Sequence, residues 1–287
     1  MSYKNFIPNV WNEKINRDLE RLCVFAEDCY RKYEGTVKRV GESVTILGIG
    51  KPTIRKMNKD GQYGDIAGAE TVETSSIVMP IEQVAYYNYE VGDIDKAQAV
   101  DGLDGALQAE TSECLANEVD RYISGVIGDE AKSADVVKVV AGTAGAGEKN
   151  VLDIFDEMQE KLMENDVAEG TEIVITIDPK TFTKFRKEYR GLDTDNSKIL
   201  KNGKVAVYNG MTIKVSNNCA KKSSFGGHDC VVISARTKRA VAFVKPMTHV
   251  EAYRPEKKFS DAVKGFILFD AKVVRPKELV VVPVYHS

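Results

Sequence analysis

The run GTAGAGEKN (Gly142–Asn150) is the nearest this sequence comes to a reactive motif. It sits between a strand-like run and a helix-like run, the context in which a glycine-rich loop turns its backbone N–H groups toward phosphate. Gly142 and Gly147 are spaced as in G-x-x-x-x-G-K-[ST]. Glu148 stands where the lysine belongs, and its charge repels phosphate. The loop therefore reads as a connection rather than a nucleotide site. The three histidines are His228, His249 and His286, and none lies in a nucleophile-elbow pattern. His228-Asp229-Cys230 is the one local cluster. A surface turn entering a strand accounts for it better than a Cys–His nucleophile does. No two histidines share a helix face with a carboxylate, so the spacing indicates no metal site. The five cysteines are widely spaced and lack a C-x-x-C pair, which fits free thiols in a reducing compartment. Tyr86, Tyr87 and Tyr89 cluster in a strand-like run. Their acidic neighbours favour core or interface packing over base stacking. The expectation is a protein without a catalytic site, metal or cofactor.

The chain has 287 residues, 43% apolar and 29% charged, with a net charge of −3. That allows a sizeable core in one or two domains and argues against a nucleic-acid polycation. No apolar run reaches the length of a membrane span, and the N-terminus has no secretory apolar region. Spacings of three and four predict a helix over Trp11–Tyr33. A second, long amphipathic helix runs to about Ile127, with a stripe of Leu103, Leu107, Thr111, Leu115, Val119, Tyr122 and Val126. Its carboxylates fall on the solvent side by this periodicity. At 1.5 Å per residue it measures roughly 37 Å. Gly102 and Gly105 sit at its start, where each costs ~1 kcal/mol inside a helix, so a bend or hinge is expected there.

Beyond it the pattern predicts a strand at 136–141, a helix at 151–165, a buried strand at 172–177 and a helix at 181–190 opened by Asp178-Pro179. Strands follow at 205–208 and 211–215 around the turn Asn209-Gly210, then at 231–234, 240–244, 248–254, 265–274 and 279–285. Helices and strands mix without regular alternation, which says α+β.

The most distinctive region is 36–93. Two β-like runs, Thr36–Gly50 and Ser75–Val91, flank the polar stretch Lys51–Thr74. Folded in half near Gly61–Gly64, that stretch projects about a dozen residues, an arm of roughly 40 Å. Its outgoing side is basic (Lys51, Arg55, Lys56, Lys59) and its return acidic (Asp65, Glu70, Glu73), and opposite charges across a hairpin help fix register. So long an arm needs something else to lie on, and another subunit is the expected partner. Two charge blocks stand out elsewhere. Residues 90–135 carry twelve acidic and three basic groups, which form either a solvated face or a docking surface for a basic element. Residues 180–204 carry eight basic and three acidic groups, again a solvated face or a contact with an acidic neighbour or nucleic acid.

In order and content the chain resembles the major capsid proteins of tailed bacteriophages, whose fold encapsulin shells share. The resemblance covers nearly the whole length. FIPNVWNEKINRDLERLCVF followed by YEGTVKRVGESVTILGIGKPTI is similar to the N-terminal arm entering the extended loop. YNYEVGDIDKAQ, the most specific stretch, resembles the strand leading to the spine helix. NGMTIKVSNN resembles a strand pair of the axial domain, and GFILFDAKVVRPKELVVV the closing strands of the peripheral domain. The resemblance implies an N-arm at 1–35, an extended loop with its base strands at 36–92 (distal part 51–74), a peripheral-domain spine and connection at 93–149, an axial domain at 150–244 and closing peripheral strands at 245–287. It also implies an axial loop with Asp193, Asp195, Lys198, Lys201 and Lys204 pointing at the shell's symmetry axes. By the same resemblance, copies form pentamers and hexamers of an icosahedral virion shell around double-stranded DNA, assembled in the host cytoplasm. A portal protein and weak DNA contact are implied partners, and, since the arm begins almost at Met1 with no fused scaffolding segment before it, so is a separate scaffolding protein, or assembly without one. No membrane is involved. Some family members crosslink lysine to asparagine, but no residues here match that reaction. An encapsulin-type compartment, or an enzyme using the 142–147 loop, are the alternatives.

Overall fold

A computed structural model of the chain describes residues 18, 22–33, 43–49, 74–92, 103–145, 147–167, 170–191, 205–256 and 259–286. The strands are β1 (Ser43–Ile49), β2 (Thr74–Pro80), β3 (Gln83–Gly92), β4 (Val137–Val140), β5 (Glu148–Asn150), β6 (Ile173–Ile177), β7 (Val205–Tyr208), β8 (Met211–Val215), β9 (Lys221–Phe225), β10 (His228–Thr237), β11 (Val241–Tyr253), β12 (Ser260–Val273) and β13 (Leu279–Tyr285). The helices are α1 (Leu103–Gly128), α2 (Val151–Glu164) and α3 (Pro179–Gly191).

Three sheets divide these strands. The larger has the order β5-β4-β13-β10-β6-β8-β7, with β9 paired to β10. It is mixed: β4 runs parallel to β13 and β5, and β6 parallel to β8. The apolar stripe of α2, from Val151 and Ile154 through Phe155 and Met158 to Leu162, buries against it with Phe185 of α3. Both helices start where the sequence says they should. The Asn150 side chain accepts from Leu152 N at 3.0 Å, and Asp178 Oδ2 from Lys180 N at 3.0 Å, with Pro179 opening α3. The Asn209-Gly210 turn joins β7 to β8 with φ of 46° and 79°, as a tight hairpin needs. A second sheet, β11-β12-β3, is antiparallel and packs under α1. The third is the β1–β2 ribbon.

The chain crosses between the two main sheets three times, first from β3 through α1 to β4. It leaves the large sheet after β10, forms β11 and β12 in the other, and returns as β13 beside β10.

Four expectations need correction. The helix read over Trp11–Tyr33 is over by Cys23. Ala26–Asp28 make a 3-10 turn, Cys29 is extended, and Tyr30 bridges Ala242. The run Ser75–Val91 is two strands, because Pro80 ends β2 and Glu82 turns its N–H to the Asp270 carboxylate at 3.2 Å. The separate strands at 240–244 and 248–254 are one bulged strand, β11. Strand β9, a polar run of KKSSF, gave no periodic signal.

Candidate assembly surfaces and their anchors

The base of the hairpin arm is built as its pattern requires. Strands β1 and β2 pair antiparallel without a shift over seven pairs, from Ser43 against Pro80 to Ile49 against Thr74. Val44 and Ile46 alternate inward with Met79, and Ile81 follows; all four bury against Ala242, Val244 and Leu268. Lys272 donates to the Val78 carbonyl at 2.7 Å. The arm residues Lys51, Arg55, Lys56, Lys59, Glu70 and Glu73 lie outside the described residues, as do the axial-loop residues Asp193, Asp195, Lys198, Lys201 and Lys204.

One buried carboxylate ties this base to the long helix. Asp270 on β12 accepts from Glu82 N, where the hairpin's return strand bends into β3, and from Tyr122 Oη of α1 at 2.9 Å. Burial pushes the Tyr122 phenol up, and the bond to Asp270 adds to the shift. The Tyr122 ring meets Phe269 edge-on at 5.5 Å and 83°.

Helix α1 spans 26 residues from Leu103, the first residue of the expected stripe; Gly105 lies in its first turn, and Gly102 lies outside the described residues. Its buried face is turned from the expected stripe. Gln108, Ser112, Leu115, Ala116, Val119, Asp120, Ile123, Ser124 and Ile127 face inward, while Leu107, Thr111, Tyr122 and Val126 are half-buried. Polar residues tolerate this face because each has work there. Ser112 donates to the Gln108 carbonyl and Ser124 to the Asn218 carbonyl.

Asp120 overturns the expectation that this helix keeps its carboxylates in solvent. It is 2% exposed and accepts three consecutive backbone N–H groups of the N-terminal segment: Val24 at 2.7 Å, Phe25 at 3.0 Å and Ala26 at 3.4 Å. Those donors are turned away from helical partners, which is why the N-terminal helix stops. From the other side comes Arg236 of β10, fully buried. It donates to the Phe25 carbonyl at 3.2 Å and lies over the Phe25 ring at 5.2 Å, with Thr176 and Ser234 at 3.4 Å. Lys214 adds ion pairs to Asp28 at 2.8 Å and Glu27 at 2.7 Å. Thus the N-terminal segment is fastened to α1, to both main sheets and to β8. Neither charge pattern nor periodicity pointed to Asp120 or Arg236. The only hint was that Asp120 sits directly beside Val119 and three residues before Ile123.

The motifs weighed for chemistry are spent on structure. Glu148 accepts from Gly145 N at 3.2 Å and from Lys138 Nζ at 2.7 Å, so a loop N–H that a phosphate would need is already engaged. The Lys138 bond, the largest cause, holds the Glu148 carboxyl below its usual range. The His228 ring stacks on Tyr285 at 3.9 Å and 2°, and the buried Cys230 thiol, pushed up by desolvation, donates to the backbone carbonyls of Phe225 and His228. His286 bonds Asp178, the cap of α3, at 3.1 Å. Tyr87 and Tyr89 pack on the core, while Tyr86 points outward, 80% exposed. Among the described residues no group of His, Cys, Asp and Glu could hold a metal ion, and no helix is long and apolar enough to cross a membrane.

Against known proteins, no family model and no curated sequence matches. Solved structures do. A chain from Mycobacterium phage Che8 aligns over 90% of this chain and 90% of its own, at 23% identity and a TM-score of 0.64. One from the mature capsid of bacteriophage PhiM1 aligns over 91% and 87%, at 17% identity and 0.63. A virus-like particle from Pyrococcus furiosus aligns over 96% and 98%, at 13% identity and 0.55. The chain has the tailed-phage capsid fold.

Proposed function

We propose that this protein is the major capsid protein of a tailed phage, a structural protein whose copies build an icosahedral shell around double-stranded DNA. The observation that carries the reading is the capsid fold over about 90% of the chain. The anchored hairpin base supports it: a ribbon held by its own small core and by Asp270 has a fixed direction in which to project the 51–74 arm. In this reading the basic side of the arm, Lys51 to Lys59, lies on the acidic α1 region of the next copy, giving each subunit area it cannot bury alone. Head-to-tail contacts of this type close into rings of five and six. Gly102 and Gly105 serve as a hinge at the start of α1, and the 193–204 loop meets its copies at the symmetry axes. The domain division remains N-arm 1–35, loop 36–92, spine and connection 93–149, axial 150–244 and closing strands 245–287. Assembly in the host cytoplasm, a portal protein, a separate scaffolding protein and weak contact with packaged DNA belong to the same reading.

Electron microscopy of the purified protein tests it: closed icosahedral particles or capsomers are expected, and a monodisperse monomer at all concentrations refutes it. Deleting Pro52–Glu73 leaves a folded subunit that forms no shells; closed particles from that variant refute the role of the arm. The Pyrococcus virus-like particle, matched over nearly its whole chain, favours a compartment as the second reading. Nuclease-protected DNA in particles from the native source supports a virion, and particles filled with protein instead support the compartment.

A further inference from the structure

Gly125 stands near the end of α1 with nothing within 4 Å of the place a Cβ would take. Glycine is among the poorest helix formers, so a bare one inside a helix calls for a reason. Three residues on, Gly128 has one inside the subunit, since a Cβ there would come 2.7 Å from the Ala220 Cβ. Gly125 has no such neighbour. It lines an open groove of about 470 Å³ between α1 and the turn from β8 to β9. The two walls are fixed to each other: Ser124 donates to the Asn218 carbonyl, and Asn218 Nδ2 donates to Asn117 Oδ1 at 2.8 Å.

The groove is basic, although residues 90–135 carry twelve acidic groups and three basic ones. Three cations and one carboxylate line it: Arg121, Lys221, Lys222 and Asp129. Lys222 holds Asp129 at 2.6 Å. Arg121 meets Glu118 only at 3.7 Å, with both side chains more than half exposed, a pair that water largely screens. Among the described residues no ion pair involves Lys221.

We propose that this groove receives the acidic return limb of the hairpin arm, residues 65–73, from a second copy of the chain. The limb has the matching charge in Asp65, Glu70 and Glu73. Between Asp65 and Glu70 it has Ala67-Gly68-Ala69, three residues small enough to run close over Gly125. The sheet says which copy supplies it. Alternate residues of a strand face opposite sides. Val241, Phe243, Ile267 and Phe269 share a core with α1, whereas Ala242, Val244 and Leu268 pack against the β1–β2 ribbon. The arm therefore starts on the face of the sheet turned away from α1, and a neighbour's arm is the one that meets the groove. This docking rests on the reading of 51–74 as an arm between subunits. It adds an orientation: the acidic limb lies on the β9 side of α1, and the basic limb runs along the acidic remainder of the helix.

Disulfide trapping in the full-length chain tests the contact. In a Cys114→Ser background, Gly68→Cys with Gly125→Cys should give covalent chains of three or more copies under mild oxidation, because a disulfide forms only where Cα atoms come within about 7 Å. Either cysteine alone should stop at dimers. Particles that form without such chains overturn the proposal and leave the shell reading intact. Gly125→Leu should leave the urea midpoint of dispersed subunits no lower than wild type, since the space is open. It should also raise roughly tenfold or more the concentration at which particles form. Assembly at the wild-type concentration overturns the proposal. If the wild-type chain forms no particles, the shell reading falls and a fluorescent peptide of residues 64–74 decides on the monomer. Saturable binding that Gly125→Leu abolishes supports the groove. No binding, or binding of a DNA duplex in place of the peptide, overturns it.

Discussion

Replacing Tyr122 with phenylalanine isolates the joint between the hairpin base and α1. The change removes one hydroxyl and leaves the ring, so the edge-on contact with Phe269 at 5.5 Å survives. What is lost is a 2.9 Å bond to the buried carboxylate of Asp270. Hydrogen bonds to charged groups are worth about 1.5–3 kcal/mol, and no cavity beyond an oxygen is created, so that range is the expected cost. For a chain of this size, unfolding entropy near ~2.1 cal/mol/K per residue converts it to a fall of roughly 3–5 °C in Tm. Urea denaturation of dispersed subunits, at one protein concentration, is the assay, because assembly would itself shift apparent stability. A companion Asp270→Asn closes a double-mutant cycle. The asparagine keeps an acceptor for Glu82 N but loses the charge, so a coupling of about 1 kcal/mol or more with Tyr122 is expected. A Tyr122→Phe variant within ~0.5 kcal/mol of wild type, or a coupling near zero, refutes the joint; surface changes fall in that interval.

Gly265→Ala should cost about 1–3 kcal/mol, since its Cβ would come within 2.6 Å of the Tyr87 ring carbon Cζ and 2.8 Å of the His249 carbonyl; a Tm equal to wild type counts against the close packing of β3 on β12. A thiol reagent at pH 8 should label Cys114 quickly on native protein and the buried Cys23, Cys29, Cys219 and Cys230 only on unfolding, as peptide mapping would show. Gly102→Ala with Gly105→Ala should stiffen the start of α1 and impair shell shape change; particles that form and expand like wild type would remove the hinge from the account. Nucleotide should leave the melting temperature unchanged, because Glu148 occupies the loop; a saturable rise would contradict that.

Elements whose signal is local were readable from the chain. The Asn209-Gly210 hairpin, the Asp178-Pro179 start of α3 and the length of α1 all follow from neighbours in sequence, and the structure has them. The anchors were not readable. Asp120 meets donors about 95 residues away, and Arg236 meets Phe25 across 211. In water an aspartate on an amphipathic helix belongs outside, and only these distant partners make its burial tolerable. The same reason explains the stripe on α1, whose inward serines look like surface until their carbonyl partners are known. Of the candidate site, the 51–74 arm lies outside the described residues, while the paired base of β1 and β2 that would carry it was legible. The bonds that aim it were not, since Asp270 and Tyr122 are ordinary residues in their own segments.

The excursion of the chain through β11 and β12 and back to β13 has a mechanical side. A pull on the hairpin enters β2, passes at Glu82 into β3, and is shared laterally with β12 through ten backbone pairs. Strand β12 continues into β13, which is sewn to β10 in the middle of the other sheet. Tension on the arm therefore does not peel one lobe from the other. It runs along strands in shear, where many ladder bonds must break together, and ends in the largest sheet of the molecule. A subunit laced in this manner would carry strain across a shell wall as a continuous fibre rather than as two beads on a string.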